Sequence, residues 1–181
     1  MLSSSSTQAA FGTPQQSLAS SSVSLRDAMR YSAGGVSVIT AGVGGDRTGL
    51  TVTSAASLSI EPPIMIVCVN RSASAWPVIQ EYRHFCVNVL RDTQRHIAER
   101  FAGRDGVKGP DRYAGSSWMM LATQASVLVD ALASIDCEVE DLIEKYSHAI
   151  VVGRAQALRV GSNGKPLVYA NGRFGFFSEE G

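Results

Sequence analysis

The chain has 181 residues, 45% of them hydrophobic and 18% charged, with 16 Lys and Arg balancing 16 Asp and Glu. One soluble globular domain fits that arithmetic, and a chain of this size buries roughly 70% of the surface its unfolded form exposes, so neither disulfides nor a structural metal is needed to hold a core. Zero formal net charge withholds the basic surplus that nucleic acid and anionic membranes require, and the longest apolar run, Ile64-Met65-Ile66-Val67-Cys68-Val69, falls far short of the roughly 18 residues of a membrane-spanning helix, so no nucleic-acid and no membrane partner is expected.

Residues 1–24 contain nine serines and no charged side chain. They lack the basic start and apolar stretch of a secretory signal and read as a disordered tail, with the folded domain over residues 25–181. Ser24 and Asp27 resemble a capping box for a short helix carrying Leu25, Ala28 and Met29. Gly34-Gly35 ends it, and Val36-Ser37-Val38-Ile39-Thr40 is β-branched and extended. Residues 42–45 read as a hairpin turn, and residues 49–54 resume the extended chain. Glu61-Pro62-Pro63 forbids helix and introduces a buried strand over residues 64–69.

Residues 74–82 predict a helix with Pro77 in its first turn. Residues 85–90 form another apolar strand, and Asp92 or Thr93 caps a second helix whose Ile97 and Phe101 share a face and which stops at Gly103. A turn-rich stretch covers residues 104–117. Over residues 131–139 apolar positions alternate with Ser134, Asp136 and Glu138, which predicts a half-exposed strand. Residues 149–160 and 166–170 complete the set before the Asn171-Gly172 turn. Six or seven strands, two or three short helices and no βαβ alternation favour an antiparallel barrel or sandwich. Cys68, Cys86 and Cys137 each sit in an apolar run without a Cys-x-x-Cys pair, as expected of reduced, buried thiols in a cytoplasmic protein.

Phosphate-loop, dinucleotide-loop, nucleophile-elbow and zinc-protease patterns are all missing, and His84, His96 and His148 stand apart from any acidic cluster with metal spacing, so no metal site is expected. What remains is the hydroxyl-rich segment Thr48, Thr51, Thr53, Ser54, Ser57 and Ser59. Hydroxyls and backbone donors lined along a strand can bind a planar heterocycle and its phosphate, although the same residues also suit an exposed β-edge.

Several motifs hold together in order and spacing: Leu25-Arg26-x-Ala28-Met29, Gly49-Leu50-Thr51, Ser54-x-x-Ser57-Leu58-Ser59, Glu61-Pro62-Pro63, Phe85-Cys86-Val87-Asn88-Val89-Leu90, Phe101-Ala102 and Pro166-Leu167-Val168-Tyr169. With them the chain resembles the short-chain flavin reductases, the reductase components of two-component flavin-dependent monooxygenases. The resemblance implies a six-stranded antiparallel split β-barrel of Greek-key type with a few short helices. It also implies a homodimer with flavin held near the subunit interface. The activity implied is hydride transfer from NADH or NADPH to FMN or FAD, with reduced flavin passed to a partner monooxygenase.

By the same resemblance the flavin contacts are Arg47, Thr48, Gly49, Leu50, Thr51, Thr53 and Ser54, followed by Cys68, Val69 and Asn70. Ser74 and Ala75 at a helix start, and Arg100 and Phe101 after the second helix, complete them. Arg100 also reads as a solvated helix charge and Ser74 as a plain cap. On the nicotinamide side the family's Gly-Asp-His pattern stands here as Tyr146-Ser147-His148, so Ser147 occupies the place of a carboxylate. His148 is the implied catalytic contact, with a structural strand-start histidine as the alternative. Tyr169, Ala170, Asn171 and Gly172 match a further nucleotide-contacting stretch. The replaced Gly-Asp pair also leaves open a non-enzymatic flavin-binding or electron-transfer protein of the same fold.

Overall fold

A computed structural model describes residues 23–177. The serine-rich tail expected from the sequence lies outside them, apart from its last residues, where Ser24 caps α1 (Leu25–Met29) through a reciprocal pair of bonds with Asp27. Every residue of α1 is exposed. After β1 (Gly34–Gly35), strands β2 (Ser37–Ala41) and β3 (Thr48–Val52) form the expected hairpin, followed by β4 (Ala56–Ser59) and β5 (Ile64–Asn70). Helix α2 (Ala75–Tyr82) ends at Arg83 in the left-handed region and leads into β6 (His84–Val89).

The second helix differs from expectation. Residues Asp92–Gln94 form a 3-10 turn, closed by the Arg91 amide donating to the Gln94 side-chain oxygen at 3.0 Å, and α3 is confined to Arg95–Phe101. Neither Asp92 nor Thr93 caps it, because the tight turn takes up the residues that a cap would need. Next come β7 (Trp118–Met120), β8 (Ser126–Leu128), the long hairpin of β9 (Ala133–Lys145) and β10 (His148–Val160), and finally β11 (Leu167–Ala170) and β12 (Arg173–Phe176).

The fold is mainly β, but it is not a closed barrel of six strands. The principal sheet has seven antiparallel strands in the order β3-β2-β6-β9-β10-β5-β4, with β1-β11-β12 and β7-β8 as separate small sheets. The outermost strands of the principal sheet, β3 and β4, are not hydrogen-bonded to one another, so that sheet is open. Strands β1, β4, β7, β8 and β12 have two to four residues each, too few for alternation to mark them in a sequence. Two register shifts in β10, one beside Gly153, bend the β9–β10 ribbon around the core. A methyl group on Gly153 would lie 2.4 Å from the Phe85 ring, so the bend depends on close packing there.

Strand β2 is buried on both faces and divides the apolar interior. One cluster, including Ile39, Val67, Trp76, Ile79, Phe85 and Val151, lies beneath α2. The other, including Val38, Leu90, Ile97, Phe101, Tyr113 and Leu128, lies beneath α3. Strand β9 departs from the half-exposed reading, since Ser134 and Asp136 on its polar side are fully buried. The segment carrying β7 and β8 covers that side. Asp136 accepts from the Thr123 amide at 2.8 Å and from its hydroxyl, and Ser134 donates to buried Asn88 at 3.1 Å.

The cysteine expectation needs a similar correction. Cys86 and Cys137 are buried and Cys68 is exposed, because Cys68 points outward on β5 between the inward-facing Val67 and Val69. Burial pushes the Cys137 thiol up to about 12 and raises that of Cys86 as well, so both are inert at neutral pH. No helix among the described residues is long and apolar enough to cross a membrane.

Candidate functional site

Strand β3 reaches the surface at a cleft of about 240 Å³ lined by Thr51, Thr53, Tyr169 and Phe174, with Ala102 and Arg104 from beyond α3. The Tyr169 and Phe174 rings meet edge to face, with centroids 5.1 Å apart, so an aromatic pair shares the cleft with Thr51 and Thr53. Thr51 donates to the Ala98 carbonyl at 2.6 Å and ties β3 to α3. Thr53 is exposed, and its hydroxyl makes no hydrogen bond among the described residues.

The backbone of β3 is held from below. Tyr113 donates to the Thr48 carbonyl at 2.6 Å, and Arg112 donates to the Gly49 carbonyl. Burial pushes the Tyr113 phenol well above its ordinary value, so it stays a neutral donor. Arg47 lies over the Tyr113 ring at 4.5 Å, and its Nε is buried without a hydrogen-bond partner. Sequence reasoning missed Arg112 and Tyr113, because they sit on a 3-10 turn (Gly109–Tyr113) within a stretch that has no periodicity to read.

Other expected residues gather along the outer edge. The Thr48 and Ser74 hydroxyls stand 3.4 Å apart, and Ser74 makes no side-chain cap bond to α2, so it is not the plain cap that the sequence allowed. Ser54 donates to the Cys68 carbonyl at 3.1 Å. Asn70 is exposed at the end of β5 and pairs in register with His148 at the start of β10. The Ser147 hydroxyl lies 2.9 Å from His148 Nδ1. Arg71 braces this corner by donating to the Tyr146 carbonyl at 3.2 Å and by an ion pair with Glu144 at 2.6 Å.

The remaining residues divide. Tyr169 also lines a second cleft of about 290 Å³ together with Ala170, Asn171 and Gly172 and residues of α1 and the turn after it. There the Asn171 amide donates to the Arg30 carbonyl at 2.7 Å, and both Asn171 and Gly172 take the left-handed conformation of a tight hairpin turn. His148 lines neither cleft. Val69, Ala75 and Phe101 are buried in the core, so only their backbone can face a ligand. Leu50 packs against the cluster beneath α2. Arg100 donates to the Ala114 carbonyl and lies 3.8 Å from Asp105, which fixes a loop instead of leaving the guanidinium free.

Among the described residues no group of three metal-ligating side chains comes together, and the hydroxyl–imidazole contact of Ser147 with His148 lies outside both clefts. The arrangement offers hydroxyls, backbone groups and an aromatic wall, the donor set for holding a planar polar heterocycle. Comparison with known proteins points the same way. A family described as "Flavin reductase like domain" matches residues 29–178. The actinorhodin polyketide dimerase of Streptomyces coelicolor is 38% identical over 151 residues, covering 83% of both chains. The FMN reductase (NADH) RutF 2 of Methylorubrum extorquens is 38% identical over 145 residues, covering 80% of this chain and 83% of that one. Among solved structures, BorF, the flavin reductase component of a bacterial two-component tryptophan halogenase, superposes with a TM-score of 0.79 at 30% identity, covering 86% of this chain and 98% of that one.

Proposed function

The chain belongs to the flavin reductase-like family, and from that premise we propose that it is an NAD(P)H-dependent flavin reductase that supplies reduced FMN or FAD to a partner monooxygenase. The observation that carries this reading is the cleft beside β3, which the unbonded Thr53 side chain lines together with the Tyr169 and Phe174 rings. The residues fit a flavin. An aromatic wall suits the ring system, and the exposed Thr53 hydroxyl, without a hydrogen bond among the described residues, is a polar group open to a ligand beside it.

When both cofactors are bound, reduced nicotinamide supplies a hydride to the flavin ring, a transfer intrinsic to the cofactors. The chain's part is binding and orientation. Thr51, Thr53 and the backbone of Gly49 hold the ring edge, while Ser54, Asn70 and Ser74 hold the more polar remainder. The hydrogen bond between the Ser147 hydroxyl and Nδ1 orients the His148 ring, and Nε2 is the ring nitrogen left to contact the nicotinamide amide. Tyr169 spans both clefts and closes the site toward the Asn171-Gly172 turn.

The chain works as a homodimer in this reading. Leu58 and Ile60 beside the β4 edge and Leu158 and Val160 at the end of β10 are 60%, 82%, 66% and 83% exposed, and a cleft of about 240 Å³ is smaller than the roughly 300–1,000 Å³ of complete ligand sites. A second subunit would cover the former and enlarge the latter.

Mixing the protein with NADH and FMN or FAD, and following the loss of NADH absorbance, tests the activity. Thr53→Ala should weaken flavin binding by about 1 kcal/mol, the usual net value of one hydrogen bond, with the melting temperature unchanged. His148→Ala should raise KM for the pyridine nucleotide while flavin affinity stays at the parent value. Full activity in both variants would remove these residues from the site.

A further inference from the structure

The largest cleft of those described lies on the other side of α3 and belongs to none of the chemistry above. Its volume is about 540 Å³, and Arg91, Thr93, Gln94, His96, Ser116 and Ser117 contribute most of its polar lining. It shares no residue with the cleft beside β3, since Ile97 faces the one and Ala102 the other.

Arg91 is the unusual member. Its backbone is fully engaged, the amide donating to the Gln94 side chain at 3.0 Å and the residue bridging to Pro166. Its guanidinium has no ion pair and no hydrogen bond among the described residues, and its Nε is buried. A guanidinium carries five donors in a rigid fork; here the Nε–H is buried and unmet, which is unfavourable unless a ligand meets it, while the terminal nitrogens open onto the cleft. The side-chain hydroxyls of Thr93, Ser116 and Ser117 and the ring nitrogens of His96 are also free of hydrogen bonds within the described residues. One carboxylate, that of Asp130, shares the cleft, but it forms no ion pair with Arg91.

The geometry points to an oxyanion-binding site at Arg91, fitted to the phosphate group of a small phosphorylated molecule. A tetrahedral phosphate accepts hydrogen bonds from several directions, which matches donors arriving from two separate segments, residues 91–96 and 116–117. A flat carboxylate would use the Arg91 fork and leave the hydroxyls unmet. The volume exceeds that of a bare ion and lies within the roughly 300–1,000 Å³ of small-molecule sites. The polar lining suits the sugar of a sugar phosphate or nucleotide.

The test uses the full-length protein without flavin or pyridine nucleotide, and the Arg91 and Asp130 variants, both outside the candidate flavin site, distinguish binding in this cleft from binding of the same probes where a flavin or pyridine nucleotide would sit. Inorganic phosphate and adenosine monophosphate are titrated separately by calorimetry at constant ionic strength, with sodium chloride as the control and circular dichroism reporting the fold. The parent protein should bind at least one of the two. Phosphate alone would identify the free ion as the ligand, and tighter binding of adenosine monophosphate a phosphate ester. Arg91→Ala should weaken binding at least tenfold. Asp130→Asn removes the opposing charge from an exposed residue and should tighten binding severalfold, which keeps the test decisive if Arg91→Ala fails to fold. Absence of binding above the chloride control, equal affinity in folded Arg91→Ala, or no gain in Asp130→Asn would each overturn the assignment.

Discussion

A methyl group added at Gly49 would lie 2.4 Å from the Ile39 carbonyl oxygen and 2.8 Å from the Phe101 ring, so the backbone of β3 can approach β2 and α3 only without a side chain. Gly49→Ala should therefore cost about 1–3 kcal/mol as overpacking, read as a lower urea midpoint, and should weaken flavin binding because the Gly49 carbonyl and its neighbours shift together. His84 makes a different residue-scale case. Burial lowers its imidazole from the ordinary 6.5, against the opposing pull of Asp136 and the Gly42 backbone, and its Nε2 is buried without a partner. The unfolded chain thus takes up the proton more readily than the native one. The stability from this residue is fully present above pH 6.5 and is lost as pH falls from there through the lowered native value. His84→Gln should flatten that part of the pH–stability curve, and an unchanged slope would assign it to other groups.

At the scale of elements, the short β7–β8 pair, joined by three residues of antiparallel pairing, is tied to the principal sheet by a buried side chain. Asn88 on β6 is fully buried, accepts from the Leu128 amide at 2.8 Å and from Ser134 at 3.1 Å, and donates to the Val38 carbonyl at 3.3 Å. Asn88→Leu keeps the volume and orphans those groups, at about 1–3 kcal/mol for each buried one. The expected result is a lower melting temperature together with faster hydrogen exchange at the Leu128 amide. Exchange unchanged from the parent would show that β7 and β8 hold themselves. Helix α3 is anchored in a comparable way, through Thr51 to the Ala98 carbonyl, which makes the wall of the candidate flavin cleft and the helix beneath it one unit.

For the molecule as a whole, the exposed apolar side chains decide what to expect in solution. Leu25, Met29 and Tyr31 at the start of the domain, Leu58 and Ile60 near the β4 edge, and Leu158 and Val160 on β10 are all more than half exposed, and the outer strands of the principal sheet carry unpaired edges. Apolar groups placed this way favour burial against a second copy. Light scattering at micromolar concentration should give twice the 19.2 kDa of one chain, and Leu158→Glu combined with Val160→Glu should shift the mass toward the monomer. The single-chain mass in the parent protein would contradict the homodimer.

Local chemistry makes much of this protein legible in its amino-acid sequence. The Ser24–Asp27 cap, the β2–β3 hairpin, the Pro62-Pro63 entry to β5 and the stop at Gly103 depend on residues close in sequence, whose caps, turns and steric limits operate within a few positions. The hydroxyl segment of the candidate flavin site is visible for the same reason, as are the ordered motifs that resemble the reductase family. Tertiary structure decided what depends on distant contacts. Burial of Ser134 and Asp136 required β7 and β8 to fold over β9, and exposure of Cys68 depended on which side of β5 meets the core. Arg112 and Tyr113 support β3 across 63 and 65 residues of chain, and Arg91 lost its partners only because of how the elements around it packed. Such contacts leave no periodic trace, since each joins segments whose spacing in the sequence says nothing of their distance in space.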